Sequence, residues 1–161
     1  MHSLRPATLR YVIGLLFGLL ASWGYGQQAA LTVEDARLSS QGGDLTFTAS
    51  AVYEQTPNVL GWSVKLPEGW SFVQTGGSHL PEIRPLTGAI NTIEWAYITV
   101  PDSPAQFEFT VYYPAGQYAP QTITANLILR ADGQTKTIAA PPMVLRPASA
   151  PSKNRPQVQE R

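Results

Sequence analysis

Residues Gln106–Tyr113, QFEFTVYY, alternate without a break: Phe107, Phe109, Val111 and Tyr113 fall on one side, Gln106, Glu108, Thr110 and Tyr112 on the other. A period of two is that of a strand with one face buried and one face wet. The same alternation recurs on both sides of this stretch. Asp44–Tyr53 sets Leu45, Phe47, Ala49, Ala51 and Tyr53 against Thr46, Thr48 and Ser50. Val59–Leu66 sets Leu60, Trp62, Val64 and Leu66 against Gly61, Ser63 and Lys65. Gln121–Arg130 sets Ile123, Ala125, Leu127 and Leu129 against Thr122, Thr124, Asn126 and Arg130. Shorter strands are expected at Leu31–Leu38, Trp70–Gln74, Thr92–Thr99, Gln134–Ala139 and Met143–Arg146, about nine in all.

Between the strands lie turn signals. Gly42-Gly43 and Asp132-Gly133 mark tight turns, because glycine reaches positive φ without a Cβ clash. Asp132-Gly133 should join the last long pair as a hairpin. Pro67-Glu68-Gly69, Pro101–Pro104 and Pro114-Ala115-Gly116 close other strands. The longest irregular stretch, Thr75–Gly88 (TGGSHLPEIRPLTG), is a functional-loop candidate by its length. Strands with one apolar face form antiparallel sheets, and two such sheets bury those faces together about 10 Å apart. The expected fold class is therefore all-β, an antiparallel two-sheet sandwich after an N-terminal signal helix.

The ends of the chain differ from its body. Met1–Arg10 holds two arginines and no acid, Tyr11–Leu20 is a short apolar run, and Ala21–Gly26 is rich in small residues. That is the layout of a secretory signal, with cleavage expected after Gly26. The alternative is a retained anchor, with Trp23 and Tyr25 at a membrane interface. At the other end, residues 148–161 (ASAPSKNRPQVQER) carry no apolar face and read as a disordered tail. The division is signal peptide 1–26, β-sandwich domain 27–147 and tail 148–161. An exported chain of this kind is periplasmic or extracellular, with no membrane anchor once the signal is cleaved.

Composition excludes several classes of function. The chain of 161 residues has 14% charged residues and no cysteine. Disulfides, thiolate metal sites and cysteine nucleophiles are ruled out. Arg5 and Arg10 lie in the leader, so the rest of the chain carries 9 basic against 11 acidic residues. Nucleic acid requires the opposite balance. His79 is the one histidine after the leader, and imidazole-based metal sites need more. Glu82, Glu94 and Glu108 could form a glycosidase-like pair, but Glu94 and Glu108 take outward strand positions, where acids keep a face wet. No calcium loop or phosphate-cradling glycine motif is present. The expectation is a protein that is not an enzyme and takes no metal and no cofactor.

The remaining candidates are for binding. Trp62 and Trp95 share faces with aliphatic residues and belong to the core. Trp70 follows a turn near one end of the sandwich, Tyr112 takes a polar-side position, and Tyr118 lies in the loop Ala115–Pro120. His79 and Arg84 lie in the long loop. The expected ligand-binding set is Trp70, His79, Arg84, Tyr112 and Tyr118. Edge strands, or the loop Thr75–Gly88, are the expected places for a partner to attach.

The runs Leu60–Val73 (LGWSVKLPEGWSFV), Glu94-Trp95-Ala96-Tyr97, Ser103–Val111 and Tyr113-Pro114-Ala115-Gly116 together resemble a module of secreted and surface proteins of environmental bacteria. It is similar in layout to bacterial immunoglobulin-like and cohesin-type sandwiches, over roughly Leu31–Pro147. The resemblance implies an Ig-like or cohesin-like fold with no catalytic residues. It implies an exported protein-interaction or structural module of the cell envelope, its partner an envelope or extracellular protein. The alternative is a carbohydrate-binding module that stacks a polysaccharide on exposed aromatics.

Overall fold

A computed structural model describes residues 26–148. The expected leader apart from its last residue, and the expected tail apart from its first, lie outside the described residues.

Among the described residues nine strands form, in the order β1 (Gln28–Val33), β2 (Gly43–Val52), β3 (Val59–Lys65), β4 (Ser71–Gly76), β5 (Thr92–Ala96), β6 (Ala105–Tyr113), β7 (Gln121–Ala131), β8 (Gln134–Ala139) and β9 (Met143–Leu145). No helix forms among the described residues. The first sheet runs β1-β2-β6-β4; the second runs β5-β3-β7-β8, with β9 also paired to β7. Every strand pair is antiparallel, as the one-sided alternation requires. The described residues form an all-β, two-sheet sandwich.

The apolar rows meet between the sheets. Phe47 and Phe109 face each other in register and stack with centroids 5.3 Å apart. Trp62 pairs with Trp95 on one side and Leu127 on the other. Trp95 reaches across to Phe107 at 5.3 Å and Phe109 at 4.9 Å, so one ring ties the two sheets. Trp62 and Trp95 are buried, as strand parity demands. Each such side chain contributes on the order of 2–3 kcal/mol through burial. The β7–β8 hairpin turns on Asp132 and Gly133, with φ of 51° and 73°. Two positive φ values make a turn whose twist matches the strands it joins.

Two strands stop short of their expected ends. β1 ends at Val33 because Asp35 Oδ1 accepts the Arg37 amide at 3.0 Å and turns the chain. Residues 36–38 then leave the first sheet and pair parallel with Arg146, just past β9. β5 ends at Ala96 because the amides of Ile98 and Thr99 turn to the Glu82 carboxylate.

The residues between β4 and β5 close one side of the sandwich. Phe72 on β4 donates to Ala89 and accepts from Gly88, both at 2.8 Å. On the other sheet, Ile83 and Ala96 exchange backbone hydrogen bonds. The loop expected to offer a contact therefore lies against the outer edge of β4 at Phe72 and that of β5 at Ala96, and blocks strand addition at those two points. On β8, Lys136 pairs in register with the inward-facing Leu129 yet stays exposed. A charge pointing inward on an edge strand discourages another chain from pairing.

Candidate functional site

The outward face of the second sheet breaks its own alternation. On β7 the outward positions are Thr124, Asn126, Ile128 and Arg130, so Ile128 stands where its neighbours are polar. Registers carry the anomaly across the sheet. Ile128 pairs with Gly61 on β3, Gly61 with Ala96 on β5, and Ala96 with Ile83 of the closing loop. Val59 lies two residues from Gly61 on the same face.

This row lines a cleft of about 270 Å³, floored by Gly61 and Ala96 and walled by Ile83, Ile128 and Val59, with Glu94 at one end. Ile83 is 55% exposed and Val59 42%. The floor depends on Gly61. A Cβ there would sit 3.0 Å from the Trp95 carbonyl oxygen, so the bare backbone is what lets β3 and β5 close up beneath the cleft. The next row is polar, with Ser63 between Glu94 and Asn126 in register; on the opposite side Val59 pairs with Arg130.

Ile83 is held in place by its neighbours. Glu82 accepts the Ile98 amide at 2.9 Å and the Thr99 amide at 3.3 Å. These donors, the Ile98 amide above all, hold its carboxyl below the usual carboxylate range. The Tyr97 hydroxyl donates to the His79 carbonyl at 2.8 Å, and burial pushes that phenol above its usual range. The Gln106 amide donates to His79 Nδ1 at 3.2 Å, and the His79 amide returns a bond to the Gln106 carbonyl at 3.1 Å. His79 thus pins the start of the loop to β6. Nδ1 is occupied as an acceptor in that bond.

The five residues expected to bind a ligand are not gathered together. Trp70 is fully buried, with its ring 5.3 Å from that of Tyr113, and offers no face to a sugar. The Trp70 amide closes the turn back to the Pro67 carbonyl, which swings the indole inward and not toward the end of the sandwich. His79 lies at the start of β6, and Tyr112 lies near its other end, roughly 20 Å away by strand rise. Tyr112 is exposed on the outer face of the first sheet, in register with Asp44 and Ser71. Tyr118 is exposed in the β6–β7 connection, and Arg84 is exposed beside Ile83.

Strand alternation alone passes over Gly61, Ile83, Ala96 and Ile128. Ile128 carries a signal, an apolar residue at an outward position of an otherwise regular strand. Ile83 carries none, since only the fold brings that loop beside β5.

No protein-family model matches the chain, and no curated protein matches it in sequence. Solved structures do match in shape. A major pilin, SpaD of Corynebacterium diphtheriae, superposes with a TM-score of 0.54 at 11% identity over 73% of this chain and 35% of the pilin. The chain thus spans about a third of that pilin's length. A non-cellulosomal cohesin of the hyperthermophilic archaeon Archaeoglobus fulgidus superposes with a TM-score of 0.50 at 13% identity, over 76% of this chain and 92% of the cohesin. Both likenesses are of fold: the chain shares the sandwich architecture of pilin and cohesin domains.

Proposed function

We propose that this chain is an exported, non-catalytic sandwich module of the cell envelope that binds another protein through the outward face of its second sheet. The observation that carries the reading is the apolar cleft over Gly61 and Ala96, set where strand alternation calls for polar residues. Apolar side chains grouped on a solvent face lower the free energy of association when a partner covers them. A fold shared with a pilin and a cohesin is in keeping with an interaction or structural role. Export rests on the arginine-flanked apolar run before Gly26. Sugar stacking has less support, since Trp70 is buried and Tyr112 and Tyr118 remain.

The test is site-specific photo-cross-linking in envelope extracts of the producing cell, with the reactive group at Ile128. A discrete protein adduct is expected. Ala96→Lys, which fills the cleft floor from outside, should remove it, while Glu108→Lys on the outer face of the first sheet should leave it. An adduct insensitive to Ala96→Lys would put the contact elsewhere.

A further inference from the structure

The face proposed above as a protein-binding surface is self-complementary in charge. Measured from Gly61, Glu94 lies one strand away on β5 and two residues toward the Lys65 end. Arg130 lies one strand away on the opposite side, on β7, and two residues toward the Val59 end. With ~4.8 Å between strands and ~3.4 Å per residue, the Cα of each sits roughly 8 Å from that of Gly61, in opposite directions. Both residues are exposed.

From this arrangement, and resting on the protein-binding reading, we infer that the partner is a second copy of the same chain. Two copies laid face to face across a two-fold axis parallel to the sheet, above Gly61 and perpendicular to the line from Glu94 to Arg130, bring Glu94 of each onto Arg130 of the other. Such an isologous contact uses one patch twice, so every favourable pair occurs twice. The centre of the patch is the low floor of Gly61 and Ala96, and the same rotation lowers Val59 of one copy toward Ala96 of the other. Apolar atoms are buried in the middle and ion pairs form at the rim, the division found in protein interfaces. An unrelated partner would have to reproduce both charges at matching distances; a second copy carries them already.

Eight residues line the cleft, against about 20–30 a side in a standard interface, so the dimer should be weak, in the micromolar-to-millimolar range. Sedimentation equilibrium of the full chain without its leader, over a concentration series reaching about 1 mM, covers that range. The wild type should shift from monomer toward dimer as concentration rises. Glu94→Arg and Arg130→Glu should each weaken association about tenfold or more, because each sets like charges together twice. The double variant Glu94→Arg with Arg130→Glu should restore it. Both positions are solvent-facing, so these variants leave the core alone. A wild type that stays monomeric, a dimer indifferent to the single reversals, or a double variant no tighter than the singles would each overturn the second-copy assignment. If the chain is monomeric while the Ile128 adduct to a different protein still disappears in Ala96→Lys, the protein-binding reading stands and the second copy falls. If the Ala96-sensitive adduct is also missing, both fall.

Discussion

Nε1 of Trp95, on the second sheet, donates to Oγ1 of Thr75, on the first, at 2.8 Å. A hydrogen bond thus crosses the apolar layer that joins the sheets. Nε1 of Trp70 is also buried and meets no acceptor. The two indoles carry different desolvation costs for the same group.

Phenylalanine at these positions should separate the two cases. Trp95→Phe loses volume and the cross-sheet bond, at a cost of about 2 kcal/mol. Trp70→Phe loses similar volume but removes an unpaired donor whose burial costs about 1–3 kcal/mol, so its net effect should stay within ~1 kcal/mol. Denaturant midpoints at constant slope give both numbers. The reverse order would mean that water reaches the Trp70 indole.

Trp62→Ala should destabilise the domain by ~3–5 kcal/mol, the cost of emptying an aromatic core site. Trp62 is 1% exposed and meets Phe107 edge-on at 6.4 Å. Thermal melts of the domain would report it, and a loss under about 1 kcal/mol would be out of keeping with that burial.

Glu82→Ala should free the amides of Ile98 and Thr99. Their hydrogen exchange should rise several-fold as the acceptor is lost, while amides in the middle of β7 stay as they were. The carboxyl is held below its ordinary value of 4.5. Its contribution is therefore complete above the ordinary carboxylate range and fades as pH falls through the lower folded value. The variant should lack that part of the acid sensitivity.

At alkaline pH the tyrosines set the trend. Burial raises the phenols of Tyr53 and Tyr97 above the ordinary value of 10.0. The Tyr53 hydroxyl donates to the Pro101 carbonyl, and the Tyr97 hydroxyl to that of His79. The unfolded chain loses these protons first, so the stability they supply is whole below pH 10.0 and declines as pH rises toward the folded values. Unfolding midpoints followed upward from pH 9 (about one unit below the ordinary phenol range) should fall, and Tyr97→Phe should flatten the fall.

Protein recovered from the producing cell should begin at or near Gln27, as Edman sequencing or intact mass would show. A chain that keeps Tyr11–Leu20 in a membrane fraction would be anchored by it instead.

Much of the fold is legible in the alternation itself. In β6 and β7 it fixes which residues face inward, and Asp132-Gly133 declares its hairpin. The early end of β1 is harder to see, because Leu31–Leu38 remains apolar enough to pass for one strand and only the Asp35 carboxylate, acting locally, breaks it. Trp70 misleads for a similar reason: its place after a turn suggests an exposed end, but the turn itself directs the ring inward. The cleft is barely legible. Parity flags Ile128, whereas the neighbourhood of Gly61, Ala96 and Ile83 arises from registers between strands far apart in the chain.

The parallel pairing of residues 36–38 with Arg146 has a mechanical consequence. Arg146 donates its amide to the Ala36 carbonyl at 2.6 Å and accepts from the Leu38 amide at 3.2 Å. One segment lies shortly after the first strand, the other just beyond the last. Tension applied between residues 26 and 148 draws these two segments past each other along their length, so both bonds are loaded together in shear and do not open one after the other. A pull from residue 148 reaches this pair before it reaches β9, whereas a pull from residue 26 must first work through the β1–β2 ladder.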